Sequence, residues 1–295
     1  MENEMKQSDD NHIIPMTSIS ASKGREVKPD VYYYTNQIVN LIFLGDPKLG
    51  KWVLVDAGMP KSGSAIIAAA EERFGKDTKP MAIILTHGHF DHVGSIVHLL
   101  EEWRGVPVYA HTLEFPFLTG KEAYPEPDPG VEGGGMLAKI SKIYPHEPIN
   151  IEPVLLPLPT DGTVPNLPGW EWYHTPGHSP GHVSLFRDSD RTLIAGDAFV
   201  TVEQDSFYKV LVQKEEVKGP PPYLTTNWTL ARESVRKLHV LQPELAITGH
   251  GTHMEGEELQ KGLHKLAVEF DEIALPKYGK YVKESDSEGS IDSIH

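Results

Sequence analysis

The chain has 295 residues, a formal net charge of −15, a pI ≈ 5.4 and no cysteine. Its length allows one large domain or two small ones, so core burial is not limiting. Without cysteine there can be no disulfides, thiolate ligands or cysteine nucleophiles, and any metal must rest on nitrogen and oxygen donors. The acidic balance disfavours a surface that tracks phosphate backbones, which needs clustered Lys and Arg. No nucleic-acid partner is therefore expected. Met1 to His12 is polar, so no secretory signal is expected. No stretch has the length of a transmembrane helix, and the expected location is cytoplasmic, with no membrane partner.

In chain order, residues 1–28 are polar, of mixed charge and little periodicity, and are expected to be loosely ordered. Residues 29–275 are read as a single domain. Val31 to Leu44 reads as two strands around Thr35-Asn36-Gln37, and Trp52 to Val55 as a short strand ending in Asp56-Ala57-Gly58. Ser62 to Phe74 has helical spacing at Ile66, Ile67 and Ala70. A strand at Ala82–Leu85, a helix at Val93–Trp103 and a strand at Val106–Ala110 complete an α/β alternation. Residues 118–159 break it with Pro125, Pro127, Pro129 and Gly133-Gly134-Gly135, and are read as a lid insertion carrying a short helix at Met136–Ile143. Strands follow at Trp170–His174, Val183–Arg187 and Thr192–Ala195, a helix at Thr226–Leu241, a strand at Leu245–Thr248 and an amphipathic helix at Glu255–Ile273. Residues 276–295 read as a polar tail. There is no internal repeat.

The stretch Thr86 to His92 reads T-H-G-H-F-D-H and directly follows the apolar run Met81 to Leu85. A strand ending in imidazoles and carboxylates places metal donors at a sheet edge. His87 and His89 share strand-like spacing, whereas Asp91 and His92 fall at a helix start, so two ligand groups suggest two metals. The bland alternative is a solvated loop of unrelated histidines. Three more strand ends carry His or Asp among small residues: T-P-G-H-S-P-G-H at 175–182, A-G-D-A at 195–198 and T-G-H-G at 248–251. Glycines beside such residues let the backbone approach an ion closely.

With these motifs in this order, Val31 to Ile273 resembles the metallo-β-lactamase-fold superfamily of metallohydrolases. The resemblance implies an α/β fold, a four-layer αβ/βα sandwich. It implies that His87, His89 and His178 hold one metal, that Asp91, His92 and His250 hold the other, and that Asp197 bridges them. His182 would be structural, and Asp56 would support the site by hydrogen bonding. Two Zn²⁺ are the expected cofactors, with Mn²⁺ or Fe acceptable to the same donors. The implied chemistry is hydrolysis by a hydroxide held between metals roughly 3.5–4 Å apart, with Asp91 orienting the nucleophile and passing a proton.

Superfamily β-lactamases carry Cys or Ser where this chain has Asp197, which favours esters, thioesters, lactones or phosphodiesters over β-lactams; the net charge of −15 argues against nuclease relatives and leaves small carboxylic esters, lactones or thioesters. Glyoxalase II-like thioesterases carry a different segment from Ala198-Phe-Val-Thr-Val-Glu-Gln-Asp. Acyl-homoserine lactonases often place a tyrosine where Phe199 and Val200 stand, with Tyr208 the nearest tyrosine here. The subfamily is left open between these two. Phe90, Phe199, Tyr208, Tyr223 and Trp228 are candidates for an apolar pocket wall, although aromatic residues are more often core. Pro220-Pro221-Pro222-Tyr223 would border the cleft. Among His98, His111, His174 and His253, only His253 is kept as a pocket candidate. The alternative to a dinuclear hydrolase is a mononuclear iron oxidoreductase resembling the persulfide dioxygenases; a non-catalytic protein on a decayed fold is the third reading. The expected partner is a small-molecule substrate, and a homodimer is compatible with the sequence.

Overall fold

The computed structural model describes residues 4–12, 21–202 and 215–282. Seven strands form one sheet in chain order: β1 (Lys23–Lys28), β2 (Val31–Asn36), β3 (Val39–Leu44), β4 (Val53–Val55), β5 (Ile83–Ile84), β6 (Val108–Ala110) and β7 (Leu155–Pro157). A second sheet takes β8 (Trp170–His174), β9 (Val183–Arg187), β10 (Thr192–Gly196), β13 (Leu245–Thr248) and β14 (Met254–Glu255), in the order β14-β13-β10-β9-β8. A separate ribbon pairs β11 (Val200–Val202) with β12 (Glu215–Lys218).

Most strands of the first sheet are apolar on both faces, and their period of two sorts side chains into different cores. Val31, Tyr33, Ile42, Leu44, Val53, Val55 and Ile84 meet Leu185, Ile194 and Leu245 of the second sheet. Their neighbours Tyr34, Leu41, Phe43, Leu54 and Ile83 pack instead against helices α1 (Gly63–Phe74) and α3 (Ile96–Glu102). On the far side Leu193, Ala195 and Ala246 pack against α6 (Trp228–Val240), α7 (Gly256–Val268) and α8 (Phe270–Ile273). Helix, sheet, sheet, helix: the four-layer sandwich is present. The short helices α2 (Phe90–Val93), α4 (Phe115–Leu118) and α5 (Gly135–Ile140) lie in the loops at one edge.

Several boundaries differ from expectation for local reasons. The single helix expected over Val93–Trp103 is two, α2 and α3, separated at Gly94-Ser95. Gly94 donates to the Gly58 carbonyl at 2.8 Å, and a Cβ there would sit 2.3 Å from Pro60 N, so the chain breaks to pack closely. The helix expected to run to Ile273 breaks at Glu269, which lets Phe270 turn into the core beside Trp228, ring centroids 6.4 Å apart. Loose order does not extend through residue 28: β1 pairs with β2, and Lys6 bridges to Asn150. Residues 155–157 of the expected insertion form the edge strand β7, parallel to β6. The expected polar tail begins later than residue 276, since Lys277 N donates to Glu132 Oε2 at 2.6 Å and Tyr281 OH to the Glu126 carbonyl at 2.6 Å. Among the described residues no helix is long and apolar enough to cross a membrane.

Candidate metal centre

All the motif residues converge on one edge of the sandwich, because each follows a strand that ends there: β4 (Asp56), β5 (residues 86–92), the β8–β9 loop (His178), β10 (Asp197) and β13 (His250). Backbone hydrogen bonds knit the two sheets at this edge, with Val183 N to Thr86 O at 2.9 Å and Asn40 N to Gly249 O at 2.8 Å, while Gly249 N to Gly196 O at 2.8 Å ties neighbouring strand ends of the second sheet. Asn40 is buried in the seam and donates to the Thr248 and Gly251 carbonyls at 2.9 and 2.7 Å. It was not foreseen in the sequence.

The seven expected ligands are buried together, none more than 5% exposed. One donor atom from each residue of three overlapping groups lies within 4.8 Å of the others: His87, His89 and His178; His87, His92 and Asp197; Asp91, His92 and His250. His89 Nδ1 and His178 Nε2 are 2.9 Å apart, and Asp197 Oδ2 lies 3.4 Å from His178 Nε2, 3.6 Å from His92 Nε2 and 3.3 Å from His250 Nε2. Asp197 thus touches both groups.

The surroundings fix which ring nitrogen faces inward. His250 Nδ1 donates to the Ile38 carbonyl at 3.0 Å and His92 Nδ1 to Asp56 Oδ2 at 2.8 Å. His178 Nδ1 donates to Thr225 Oγ1 at 3.2 Å, a hydroxyl whose own proton goes to the Pro221 carbonyl at 2.8 Å. His87 Nδ1 faces Thr86 Oγ1 at 3.0 Å, and that hydroxyl donates to Asp56. Each arrangement turns Nε2 toward the cluster. His182 differs: its Nε2 already accepts from Asp197 N at 2.8 Å, while Nδ1 donates to Thr175 Oγ1 at 2.9 Å. It holds the Asp197 backbone and has no nitrogen left for an ion.

Asp56 adopts a left-handed φ of 64°, a conformation that Asp tolerates better than most residues. From there Oδ1 accepts from Thr86 N at 2.8 Å while Oδ2 accepts from His92. Gly249 must remain glycine, because a Cβ there would lie 2.0 Å from Asp197 Oδ1.

The electrostatics divide the cluster in two. Burial, then neighbouring imidazoles, hold His87 well below its ordinary pKa; burial, then His89, does the same at His178. His89 is lowered to about 4, mainly by burial. These three are neutral, as ligands must be. At His92 burial opposes charge, but Asp56, Asp91 and Asp197 outweigh it and raise the pKa well above its ordinary value. Against the same opposition Asp197 and Asp91 raise His250 to about 10, so an ion held by His92 and His250 would displace their protons.

The donor set fits divalent ions on a structural observation. His87 Nε2, His92 Nε2, Asp91 Oδ1 and Asp197 Oδ1 are buried with no hydrogen-bond partner. Buried polar atoms are normally paired, and four orphans on residues of one His/Asp cluster are the pattern expected of metal ligands.

The pocket candidates divide. Phe90 and Tyr223 join Tyr144 in an apolar cluster beside the site, with ring centroids 5.0 Å (Phe90–Tyr144) and 5.7 Å (Tyr144–Tyr223). Phe199 and Trp228 do not line it. Both are buried in the core between the second sheet and its helices, where residues this apolar and large are most stable. His253 sits against Tyr33, with Nδ1 at 3.3 Å from the hydroxyl, apart from the ligands. Tyr208 lies outside the described residues. His111 and His174 stack on each other at 4.2 Å, and His98 is exposed on α3. Sequence reasoning also missed Tyr124, whose ring lies 4.5 Å from His89, and Thr225. The run Pro220-Pro221-Pro222-Tyr223 does border the site, and it acts through Thr225.

Residues 35–250 match the metallo-beta-lactamase superfamily. The chain belongs to that superfamily. It is 46% identical over 261 residues to "Probable metallo-hydrolase YflN" of Bacillus subtilis (strain 168), covering 88% of this chain and 98% of that protein. It is 26% identical over 230 residues to an N-acyl homoserine lactonase of Bacillus thuringiensis, covering 70% and 78%. Among solved structures, the Rm3 metallo-beta-lactamase shares the fold with a TM-score of 0.56 at 21% identity, covering 84% of this chain and 85% of that one.

Proposed function

We propose that this chain is a metal-dependent hydrolase of small carboxylic esters, lactones or thioesters, with two divalent ions, zinc first, as cofactors. The observation that carries the reading is the set of buried, partnerless donor atoms shared between two ligand groups through Asp197. Names of relatives support it: one is a probable metallo-hydrolase and another a lactonase. His87, His89 and His178 would hold one ion, Asp91, His92 and His250 the other, and Asp197 both. When bound, such ions lower the pKa of water and polarise a carbonyl oxygen.

The chain's own residues set the rest. Buried walls exclude bulk water, which strengthens each charge interaction inside. Asp91 Oδ2 lies 3.2 Å from His250 Nε2 and Oδ1 is buried without a hydrogen-bond partner; while helping to hold its ion, Asp91 would orient the nucleophile and pass its proton to the leaving group. Phe90, Tyr144 and Tyr223 give a mostly apolar wall for an acyl or ring portion of a small substrate. An aspartate at position 197, rather than Cys or Ser, favours these substrates over β-lactams.

The test is metal analysis of protein purified without added metal, followed by a panel of aryl esters, lactones, thioesters, phosphodiesters and a β-lactam. About two zinc per chain with turnover of an ester, lactone or thioester is expected. One iron per chain with oxygen uptake on a persulfide would replace this reading by an oxidoreductase one.

A further inference from the structure

Glu114 is wholly buried, yet it belongs to none of the motifs. It stands four residues beyond β6, in the turn before α4. Its Oε2 accepts from Gly88 N at 3.0 Å and from the Tyr124 hydroxyl. Its Oε1 accepts from Ser179 Oγ at 2.8 Å and Gly181 N at 2.7 Å. Gly88 lies between His87 and His89, and Ser179 follows His178 directly. One carboxylate therefore joins the two loops that supply the three-histidine group.

Four donors fill the four lone-pair positions of a carboxylate, and no cation is paired with Glu114 among the described residues. Burial pushes its pKa up and these donors draw it back, and acceptance at both oxygens is the pattern of the ionised form. The approach requires glycines on both loops. A Cβ at Gly88 would meet the Tyr124 hydroxyl at 2.6 Å, and one at Gly181 would meet Glu114 Cγ at 2.8 Å. Two glycines of the motifs are thus explained by Glu114 and Tyr124 rather than by an ion. Desolvating a carboxylate is costly, so the placement of Glu114 against these loops is not neutral to the fold.

We propose that Glu114 is the positioning residue of the three-histidine site: it fixes the spacing between the loops carrying His87, His89 and His178 and thereby sets that site's affinity for its ion. The inference rests on reading the cluster as a metal centre.

The test is calorimetric titration of Zn²⁺ into the metal-free full-length chain, wild type against Glu114→Gln. The amide would present an N–H₂ group where one pair of donors needs an acceptor. Binding of one ion is expected to weaken at least ~10-fold, the range seen when groups that orient ligands are removed, while the other ion binds as before. A Co²⁺ titration read by its visible spectrum should show the same selective loss. Unchanged binding, or equal weakening of both ions, would overturn the proposal. Ser179→Ala and Tyr124→Phe each remove one donor and keep the carboxylate, so they serve if Glu114→Gln does not fold. A selective but smaller weakening supports the clamp, and none in either variant overturns it. Wild-type protein that takes up no zinc would overturn the metal reading and the clamp together. Two ions in wild type with an identical Glu114→Gln isotherm would overturn the clamp alone.

Discussion

The two halves of the cluster are held by different physics. His87, His89 and His178 are neutral imidazoles, steered by hydroxyls and by the loops on which they sit. In the other half, His92 and His250 sit among the carboxylates of Asp56, Asp91 and Asp197, which raise both imidazole pKa values. The second half is therefore oriented by carboxylates and by the hydrogen bonds of His92 to Asp56 and His250 to the Ile38 carbonyl. The first depends on backbone placement, because neutral imidazoles neither attract nor orient one another strongly. Asp197 spans the two, and changes around it should affect both.

Substitutions that strike the shared atom, one half, or neither half sharpen this contrast. Gly249→Ala places a methyl against Asp197 Oδ1 and within 3.0 Å of His92 Cε1. It should reduce zinc to below one ion per chain after dialysis and cut turnover by roughly 100-fold, the upper range for disturbed ligand support. Metal analysis and steady-state kinetics check this, and retention of both ions would show that Asp197 is not held against Gly249. Asp56→Asn removes the charge that His92 Nδ1 meets and weakens acceptance from Thr86. It should weaken the ion on His92 by roughly 10-fold, more than the ion on His87 that Asp56 reaches only through Thr86, and cost about 2 kcal/mol of stability, because a buried donor loses its acceptor. Zinc titration and urea unfolding measure the two effects, and equal weakening of both ions would contradict the division. Trp228→Ala touches neither half. It should cost about 3–5 kcal/mol through the cavity left beside Phe270 while zinc stoichiometry stays at the wild-type value. Altered stoichiometry would put Trp228 back at the site.

Much of the candidate site was legible because metal donors are chemically conspicuous. His87, His89, Asp91 and His92 announce themselves by density after an apolar strand, and Asp197 and His250 repeat the strand-end pattern with glycines beside them. Glu114 follows the same rule, four residues past β6, but a single carboxylate among ordinary residues gives no signal of burial. Phe199 and Trp228 failed as pocket residues for a related reason. An aromatic side chain reads alike in a wall and in a core, and only the packing partners distinguish them.

Composition, strand periodicity and motif spacing were sufficient for the α/β alternation, the thiol-free donor set and the candidate ligands at strand ends, since these depend on local spacing and residue chemistry; their division into two groups came from the family resemblance. The tertiary structure decided the remainder. It gave His182 Nε2 to Asp197 N, brought Thr225 and Asn40 into the site from distant segments, and broke the helix at Gly94 to admit Pro60. Each of these depends on contacts between residues far apart in the chain, where hydrogen-bond direction and close packing, not periodicity, carry the information.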